Sequence, residues 1–499
     1  MADPIAFPAI NFTVIIQALI VFGWAIALLV IDLFIPRDRK RLTGYLALLG
    51  IVVAAIAPFA SDLLGTPLWN TNSVTFSSMI TLDNFALVLN WIFLLSAAIT
   101  VVISLDYLAY QGIERGEYYV LLLMATGGMM LLAQGTDLIV LFLGLELLSI
   151  TLYVLVGFAY PRLSSEEAAM KYLLIGAFAA GFLVFGIALI YGATGTSNLF
   201  EISKALSTGL AAEDRSLLLA GCALVIVGFG YKISMVPFHM WTPDVYEGAP
   251  TPVTAFMSVG TKSAGFAALA RFLLQGVGPE YVIWVPAVAV LAALTMIVGN
   301  ISAVTQTNVK RMLAYSSIGH AGYILMGVLA GGVPNTGTRG IESFLFYLLA
   351  YSLTNLGAFA VLIALEQRGE AAWDLGDFAG LYSRRPLLAI AMALCMFSLA
   401  GVPPTAGFWG KFYVFTAAWA AGLQWLAVIG VITSAIAAFF YLRIVVQMFM
   451  RDPVREVRQT YDRALAIGIG VAALGIILIG IIPTPLIELV KQTGLALGR

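Results

Sequence analysis

Asp137-Leu138-Ile139-Val140-Leu141-Phe142-Leu143-Gly144-Leu145-Glu146-Leu147-Leu148 is an apolar run that opens on Asp137 and holds one further carboxylate, Glu146, among aliphatic residues. The run extends over 137–158, and roughly 20 apolar residues suffice to cross about 30 Å of hydrocarbon. The rest of the 499 residues agree with that reading: 61% are hydrophobic, only 11% are charged, and mean hydropathy is +0.97. Soluble domains hold roughly 45–50% apolar and about 25% charged residues. The excess is too large for a soluble core and must face lipid. An all-α integral membrane protein forming one polytopic domain over 1–499 is expected, rather than a string of soluble domains.

Spans are expected near 12–35, 42–60, 84–105, 117–134, 137–158, 168–192, 216–240, 252–275, 281–303, 311–331, 341–365, 387–420, 424–450 and 464–483, about 14 in all. The run 387–420 is too long for one crossing and contains Gly401-Val402-Pro403-Pro404, so it reads as a broken helix. Positive charge concentrates in the odd-numbered loops and their helix ends: Arg37, Arg39, Lys40, Arg41, Arg115, Arg162, Lys310, Arg311, Arg368, Arg384, Arg385, Arg451, Arg455, Arg458 and Arg463. The even-numbered loops and the C-terminal tail hold Lys204, Arg215, Arg339, Lys491 and Arg499. Lysine and arginine mark the cytoplasmic side, so both termini are expected outside, in the periplasm. No cleavable signal peptide is expected, because the first apolar run is too long and lacks a basic leader.

A net charge of -1 gives no reason to expect a nucleic-acid partner. The two cysteines, Cys222 and Cys395, sit in apolar runs and form neither a metal pattern nor a disulfide framework. Phosphate loops, a dinucleotide glycine fingerprint and cysteine clusters for iron–sulfur binding are missing from the sequence. No cofactor or metal is therefore expected in this chain, and any redox chemistry belongs to another.

Ionisable groups near the bilayer centre cost about 2.5–3.5 kcal/mol each on insertion scales, yet several occur here. Glu146 lies mid-way along the fifth span, Lys262 half-way along the eighth and His320 near the centre of the tenth. Lys232 and Lys411 flank the proline-containing breaks of the seventh and twelfth, and His239 follows the seventh-span break. Glu146 and Lys262 are too central to reach the interface. Lys232, sixteen residues past Ser216, admits the reading of a lysine that snorkels. For the two histidines, hydrogen-bonded packing is the competing reading. Burial penalises the charged form of lysine and carboxylate alike, while contact between opposite charges favours it. Separating such partners changes the proton affinity of both, which suits a proton relay.

The breaks Val236-Pro237 and Val402-Pro403-Pro404 fall five helices apart. Five is odd, so equivalent helices of two five-helix units run in opposite directions, as in inverted repeats whose helix breaks mark an ion path. Tyr231-Lys232-Ile233-Ser234-Met235-Val236-Pro237-Phe238-His239-Met240-Trp241-Thr242-Pro243-Asp244-Val245-Tyr246-Glu247-Gly248-Ala249-Pro250-Thr251-Pro252 closely resembles the antiporter-like subunits of respiratory complex I, a family related to Mrp antiporters. Within it, Trp241 to Pro250 looks like the subunit N branch of bacterial NADH–quinone oxidoreductase. Lys310 to Tyr323 and Gly401 to Phe412 carry further resemblance, which runs over roughly 110–450.

The resemblance implies N-terminal helices 1–3 over 1–110 and a first repeat, helices 4–8, over 111–276. A second repeat, helices 9–13, covers 277–450, and helix 14 lies in 451–499. It implies Glu146 paired with Lys232, Lys262 as the bridge between halves, and Lys411 as the terminal site. The sister subunit M has glutamate where Lys411 stands, and subunit L carries an added lateral helix, so both features favour N. An inner-membrane subunit of a proton-translocating NADH:quinone oxidoreductase is implied, with subunits M and K as neighbours. Flavin mononucleotide, iron–sulfur clusters and quinone are expected in partner subunits. The competing readings are an Mrp-type cation/proton antiporter subunit and a non-conducting structural subunit. Combining topology with the repeats puts Lys232 and Lys411 on the same side of their interruptions. Lys262 is expected between them, with His320 relaying from Lys262 to Lys411 along one lateral path.

Overall fold

The computed structural model describes residues 10–63, 68–69, 71–366, 373–453 and 463–493. Arg368, Arg455, Arg458 and Arg499, counted above as loop or tail charges, lie outside the described residues.

Helices α1 (Ile16–Asp32) and α2 (Arg41–Leu63) lead into a small antiparallel hairpin, β1 (Ser73–Thr75) with β2 (Ile80–Leu82). This hairpin departs from the all-α expectation. Its three-residue strands lie in a connection too short and too polar to have registered as strands. The first half continues with α3 (Asn84–Gln111), α4 (Glu117–Gln134), α5 (Leu138–Val156), α6 (Leu163–Thr194), the short α7 (Leu199–Thr208) and α8 (Ala212–Ile233). After a break come α9 (Trp241–Gly248), α10 (Thr251–Phe256) and α11 (Lys262–Arg271). The second half holds α12 (Tyr281–Val304), α13 (Val309–Gly332), α14 (Gly337–Leu365), α15 (Leu381–Arg384), α16 (Pro386–Ala400), α17 (Ala406–Ala420) and α18 (Gln424–Met450). The chain ends with α19 (Arg463–Ile481) and α20 (Thr484–Lys491). Among the described residues, 11 helices are long and apolar enough to cross a membrane.

Polar caps fix where these helices start. Asp83 accepts from Ala86 N ahead of α3, Asp137 from Ile139 N ahead of α5, and Asn308 from Arg311 N ahead of α13. The centre is formed by α13 and α14, whose most apolar stretches are 94% buried, against 33% for α6 and α19. Outer helices present bare apolar side chains such as Ile26, Phe178, Phe439 and Leu474. That inversion of a soluble protein's surface suits lipid. Between helices, glycines allow backbone contact. A Cβ on Gly186 of α6 would stand 2.7 Å from the Gly221 carbonyl of α8, and one on Gly299 of α12 would stand 2.4 Å from Gly319 N of α13.

Both expected breaks are present. Helix α8 ends in Ser234, a left-handed residue (φ 64°) whose Oγ accepts from Thr242 Oγ1 at 2.7 Å, while Val236 N donates to Thr295 Oγ1 at 3.0 Å. Helix α16 ends in Gly401 (φ 85°) before α17 resumes at Ala406. Side chains and neighbouring helices thus take up the backbone groups that each break frees. The run 252–275 is not a plain span either. It is continuous but contains π-helical turns at Met257–Thr261 and Phe272–Gly276. The first delivers Lys262 directly, and such turns recur at functional sites.

Candidate functional site

The three lysines are almost fully enclosed: Lys232 is 1% exposed, Lys262 2% and Lys411 5%. Lys232, in the last turn of α8, does not snorkel. Its Nζ donates to Ser149 Oγ of α5 at 2.9 Å and to Tyr172 OH of α6 at 3.0 Å. A Cβ on Gly265 of α11 would stand 3.3 Å from Lys232 Cγ, so the stem of Lys232 lies against the helix that carries Lys262. An aromatic row makes a second link. Tyr172 stacks on Trp241 at 4.7 Å, Trp241 meets Tyr246 at 6.1 Å, and Lys262 Nζ sits 5.7 Å over the Tyr246 ring.

Lys262 Nζ donates to Ser317 Oγ at 2.6 Å and to Ser317 O at 3.0 Å. The same Ser317 Oγ accepts from Tyr351 OH at 2.8 Å, and the Tyr351 ring lies 5.0 Å from His320. His320 is held at both nitrogens, Nδ1 by Tyr347 OH at 2.7 Å and Nε2 by Tyr441 OH at 3.1 Å. A neutral imidazole donates at one nitrogen and accepts at the other, so the two tyrosines take opposite roles and exchange them when the tautomer changes. One helical turn on, Tyr323 meets the His320 ring edge-on at 5.6 Å, and Lys411 Nζ lies 5.2 Å from the Tyr323 ring. Lys411 donates to Ala400 O at 3.0 Å, the last residue before its helix break, and to Ser434 Oγ at 2.7 Å. A small void of about 10 Å³ lined by His320, Tyr347, Tyr351 and Ser398 borders this end.

The row therefore orders its groups as Lys232, Lys262, His320 and Lys411, with hydroxyls and rings between them. Among the described residues none of the three lysines has a carboxylate within 4.0 Å. Like charges sharing such a row disfavour one another, which makes each group's proton occupancy depend on its neighbours. The charges of Lys262 and Lys411 both act on His320.

Residues 135–437 match the family model described as NADH:quinone oxidoreductase/Mrp antiporter, TM. The chain belongs to this family. NADH-quinone oxidoreductase subunit N 2 of Roseiflexus castenholzii is 65% identical over 491 residues, covering 98% of this chain and 97% of that protein. NADH-quinone oxidoreductase subunit N of Chloroflexus aggregans is 59% identical, covering 99% of this chain and 100% of that one. A chain from respiratory complex I of Thermus thermophilus with bound aureothin superposes with a TM-score of 0.79 at 34% identity, covering 96% and 100% of the two chains. A chain of the Mrp complex from Dietzia sp. shares the fold, with a TM-score of 0.82 at 22% identity over 96% and 97% of the two chains.

Two residues singled out from the sequence stand apart from the row. Glu146 is half-buried on α5, and its Oε1 is buried with no hydrogen-bond partner. It forms no direct ion pair with Lys232. Ser149, three residues further along the same face, takes the Lys232 ammonium instead, and the Glu146 charge acts across that gap. His239 is half-buried between α8 and α9 and is not hydrogen-bonded to the other site residues. Lys310, counted above as a cytoplasmic surface charge, is 0% exposed and donates to Ala249 O at 2.7 Å. Its place in the first turn of α13 is at a membrane edge, but the connection through α9 folds over it.

Sequence reasoning passed over Ser149, Tyr172, Ser317, Tyr323, Tyr347, Tyr351 and Tyr441. A signal existed: Ser149 follows Glu146 by three, Ser317 precedes and Tyr323 follows His320 by three, and Tyr347 and Tyr351 are four apart. Those spacings put polar groups on one helix face. The ion pair of Arg271 with Asp83, 2.7 Å with both side chains 0% exposed, was also passed over.

Proposed function

We propose that this chain is the proton-translocating subunit N of a bacterial NADH–quinone oxidoreductase. Quinone reduction in partner subunits drives proton movement through Glu146, Lys232, Lys262, His320 and Lys411. The observation that carries this reading is the enclosed row from Lys232 to Lys411, each member within a hydroxyl or ring of the next. A scaffold gains nothing from the insertion cost of such groups. The chemistry asked of the row is general acid–base transfer: a lysine ammonium gives up a proton to a neighbouring hydroxyl or imidazole and recovers one from the other side. His320, bonded at both nitrogens, passes a proton on by exchanging tautomers. Displacement of Glu146 relative to Lys232 raises or lowers the cost of the Lys232 charge, which is how a conformational or electrostatic signal from a partner loads or empties the row. His239 is a secondary member beside the α8 break.

The three apolar runs beyond the 11 candidate spans are α4, the interrupted helix of 251–276 and the pair α16–α17. They complete fourteen crossings, with helices 4–8 over 111–276 and 9–13 over 277–450 as inverted repeats, helices 1–3 over 1–110 and helix 14 in 451–499. Subunits M and K are the proposed neighbours. Flavin mononucleotide, iron–sulfur clusters and quinone belong to partner subunits, and the redox reaction is theirs. Affinity purification of the tagged chain from mild detergent is expected to bring down a large assembly containing flavin and iron–sulfur centres and reducing quinone with NADH. Recovery of the chain with cation-exchange activity and no redox centres would instead support the Mrp-type reading.

Both termini are proposed to face the periplasm, on the distribution of lysine and arginine. Reporters fused in the 36–41 and 451–463 loops are expected to read cytoplasmic, and one in 196–213 periplasmic. A cytoplasmic signal from the 196–213 loop would overturn both orientation and span count. In this orientation Lys232 and Lys411 sit on the periplasmic side of their breaks, which suits one lateral path.

A further inference from the structure

The row described above needs a source of protons, and a second polar seam leads to it. On the broken helix, Thr251, Thr254, Ser258 and Lys262 follow one another at three, four and four residues, so they share a face. On α14, Tyr351 and Asn355 are four apart and share a face, and Glu366 is the residue that caps the helix C-terminus. The two faces meet. Thr251 Oγ1 donates to Glu366 Oε1 in a very short contact, Asn355 Nδ2 donates to Ser258 Oγ at 2.6 Å, and Lys262 joins Tyr351 through Ser317. Every one of these residues is buried, Thr251, Thr254, Ser258 and Asn355 completely. Mid-seam, Asn355 Oδ1 is a buried acceptor without a partner, and Thr261 Oγ1 beside Lys262 is another. Eleven residues at 1.5 Å each give the seam a length of about 16 Å.

Its outer end is built around Glu366, which is only 3% exposed. Trp373 Nε1 also donates to Glu366 Oε1, at 2.7 Å, and the Lys310 ammonium lies 4.1 Å over the Trp373 ring. Beyond Trp373 is a cavity of about 230 Å³ lined by Arg162, Glu167, Lys171, Asp244 and Glu247, which reaches the surface at the exposed Arg162 and Glu167. Burial pushes the Asp244 carboxyl up, but hydrogen bonds from Lys171 and Arg311 outweigh it and hold Asp244 below the usual carboxylate range. Asp244 and the Arg311-bound Glu247 are thus committed to ion pairs. Among the described residues Glu366 has no such cation bonded to it; the Tyr107 hydroxyl of α3, Trp373 and Lys310 face it, and it is the carboxylate that touches the seam.

We propose that Glu366 is the proton-loading residue of this subunit, receiving protons from the Arg162–Asp244–Trp373 cavity and passing them along the Thr251–Ser258–Asn355 seam to Lys262. This rests on the proposed function and its orientation, which makes the cavity cytoplasmic. The step balances simply. Glu366 takes a proton from the aqueous cavity, the carboxylic acid releases it into the seam, and a neutral Lys262 amine becomes ammonium, leaving the carboxylate.

The test uses the whole oxidoreductase reconstituted in vesicles, with Glu366→Gln, Glu366→Asp, Ser258→Ala and Lys262→Ala. Glu366→Gln keeps the acceptor for Thr251 and Trp373 but cannot carry a proton. It is expected to lower NADH-driven pumping and quinone reduction by about tenfold or more, since a positioned acid–base group contributes roughly 10²–10⁴. NADH oxidation by a soluble artificial acceptor stays at the wild-type rate, Glu366→Asp restores most of the pumping, and the deficit widens as pH on the cavity side rises. Wild-type pumping in Glu366→Gln beside an impaired Lys262→Ala overturns the loading residue and leaves the proposed function standing. Equal losses in Glu366→Gln and Glu366→Asp, with no change in pH profile, overturn it as well, because a structural role then suffices. Wild-type pumping in Lys262→Ala overturns the function itself. If Glu366→Gln does not assemble, Ser258→Ala decides: slowed pumping in intact complex supports the seam, and undiminished pumping overturns it.

Discussion

Lys262→Ala in the assembled oxidoreductase is expected to abolish most proton pumping, together with the quinone reduction coupled to it, while NADH oxidation by an artificial soluble acceptor stays nearly intact. Lys262 is the group on which the row and the proposed Glu366 seam converge, and Ala removes the amine at that junction. The expected loss is at least about tenfold, the contribution of a positioned acid–base group being roughly 10²–10⁴. Truncation leaves Ser317 Oγ its donor, Tyr351, so no buried hydroxyl is orphaned and assembly is expected to survive. Glu146→Ala is expected to act in the same direction but less strongly. Its carboxylate is half-buried and works on Lys232 through space rather than by contact. The measurement is pumping and acceptor-specific rates on the same vesicles. An artificial-acceptor rate that falls as steeply as pumping would mean that the site is not specific to proton movement.

Asp83→Ala is expected to be the most damaging single change to stability. Arg271 and Asp83 are both 0% exposed; Arg271 Nη2 donates to Asp83 Oδ1 at 2.7 Å and Nη1 to Asp83 Oδ2 at 3.1 Å. Arg271 also reaches Gln275 Oε1 at 3.1 Å. Removing one partner of such a pair strands the other charge and costs about 3–5 kcal/mol. The pair joins the start of α3 to the end of α11, so its loss uncouples the first three helices from the broken helix that carries Lys262. The amount of assembled complex in membranes and its thermal midpoint are both expected to fall. The double variant Asp83→Asn with Arg271→Met removes both charges and keeps a polar cap for α3. It is expected to recover much of the loss, because replacing a buried pair by neutral groups is often close to neutral. A single variant as stable as wild type, or a double variant worse than the single, would show that the pair does not hold these helices together.

Much of the fold was legible because lipid imposes a simple rule on sequence. A span must be apolar over its whole length, and the expected bounds 117–134 and 424–450 coincide with α4 and α18. Proline and glycine exposed both breaks, since each disrupts the helical ladder at a place independent of neighbours. The small hairpin at 73–82 and the π-helical turns on either side of α11 left no comparable trace. They depend on packing against other helices, not on a local pattern. Lys310 shows the limit from the other direction. Its position at a helix start reads as a loop charge, and only the fold of α9 over it, with Trp373 arriving from far along the chain, makes it a buried cation.

By itself, then, the sequence determined that the chain spans a membrane many times, where two of its helices break, and that ionisable residues such as Lys262 and His320 lie within apolar runs. Each of these follows from the cost of polar groups in hydrocarbon, a property read one residue at a time. Which groups meet was decided only by the tertiary structure. The Lys232 ammonium rests on Ser149 and Tyr172 rather than on Glu146, His320 is gripped by two tyrosines from α14 and α18, and Thr251 meets Glu366 while Ser258 meets Asn355 between two distant helices. Hydrogen bonds of about 3 Å require donor and acceptor to be placed to within a fraction of an ångström. That placement comes from how the helices pack across hundreds of residues, which no local stretch of the chain encodes.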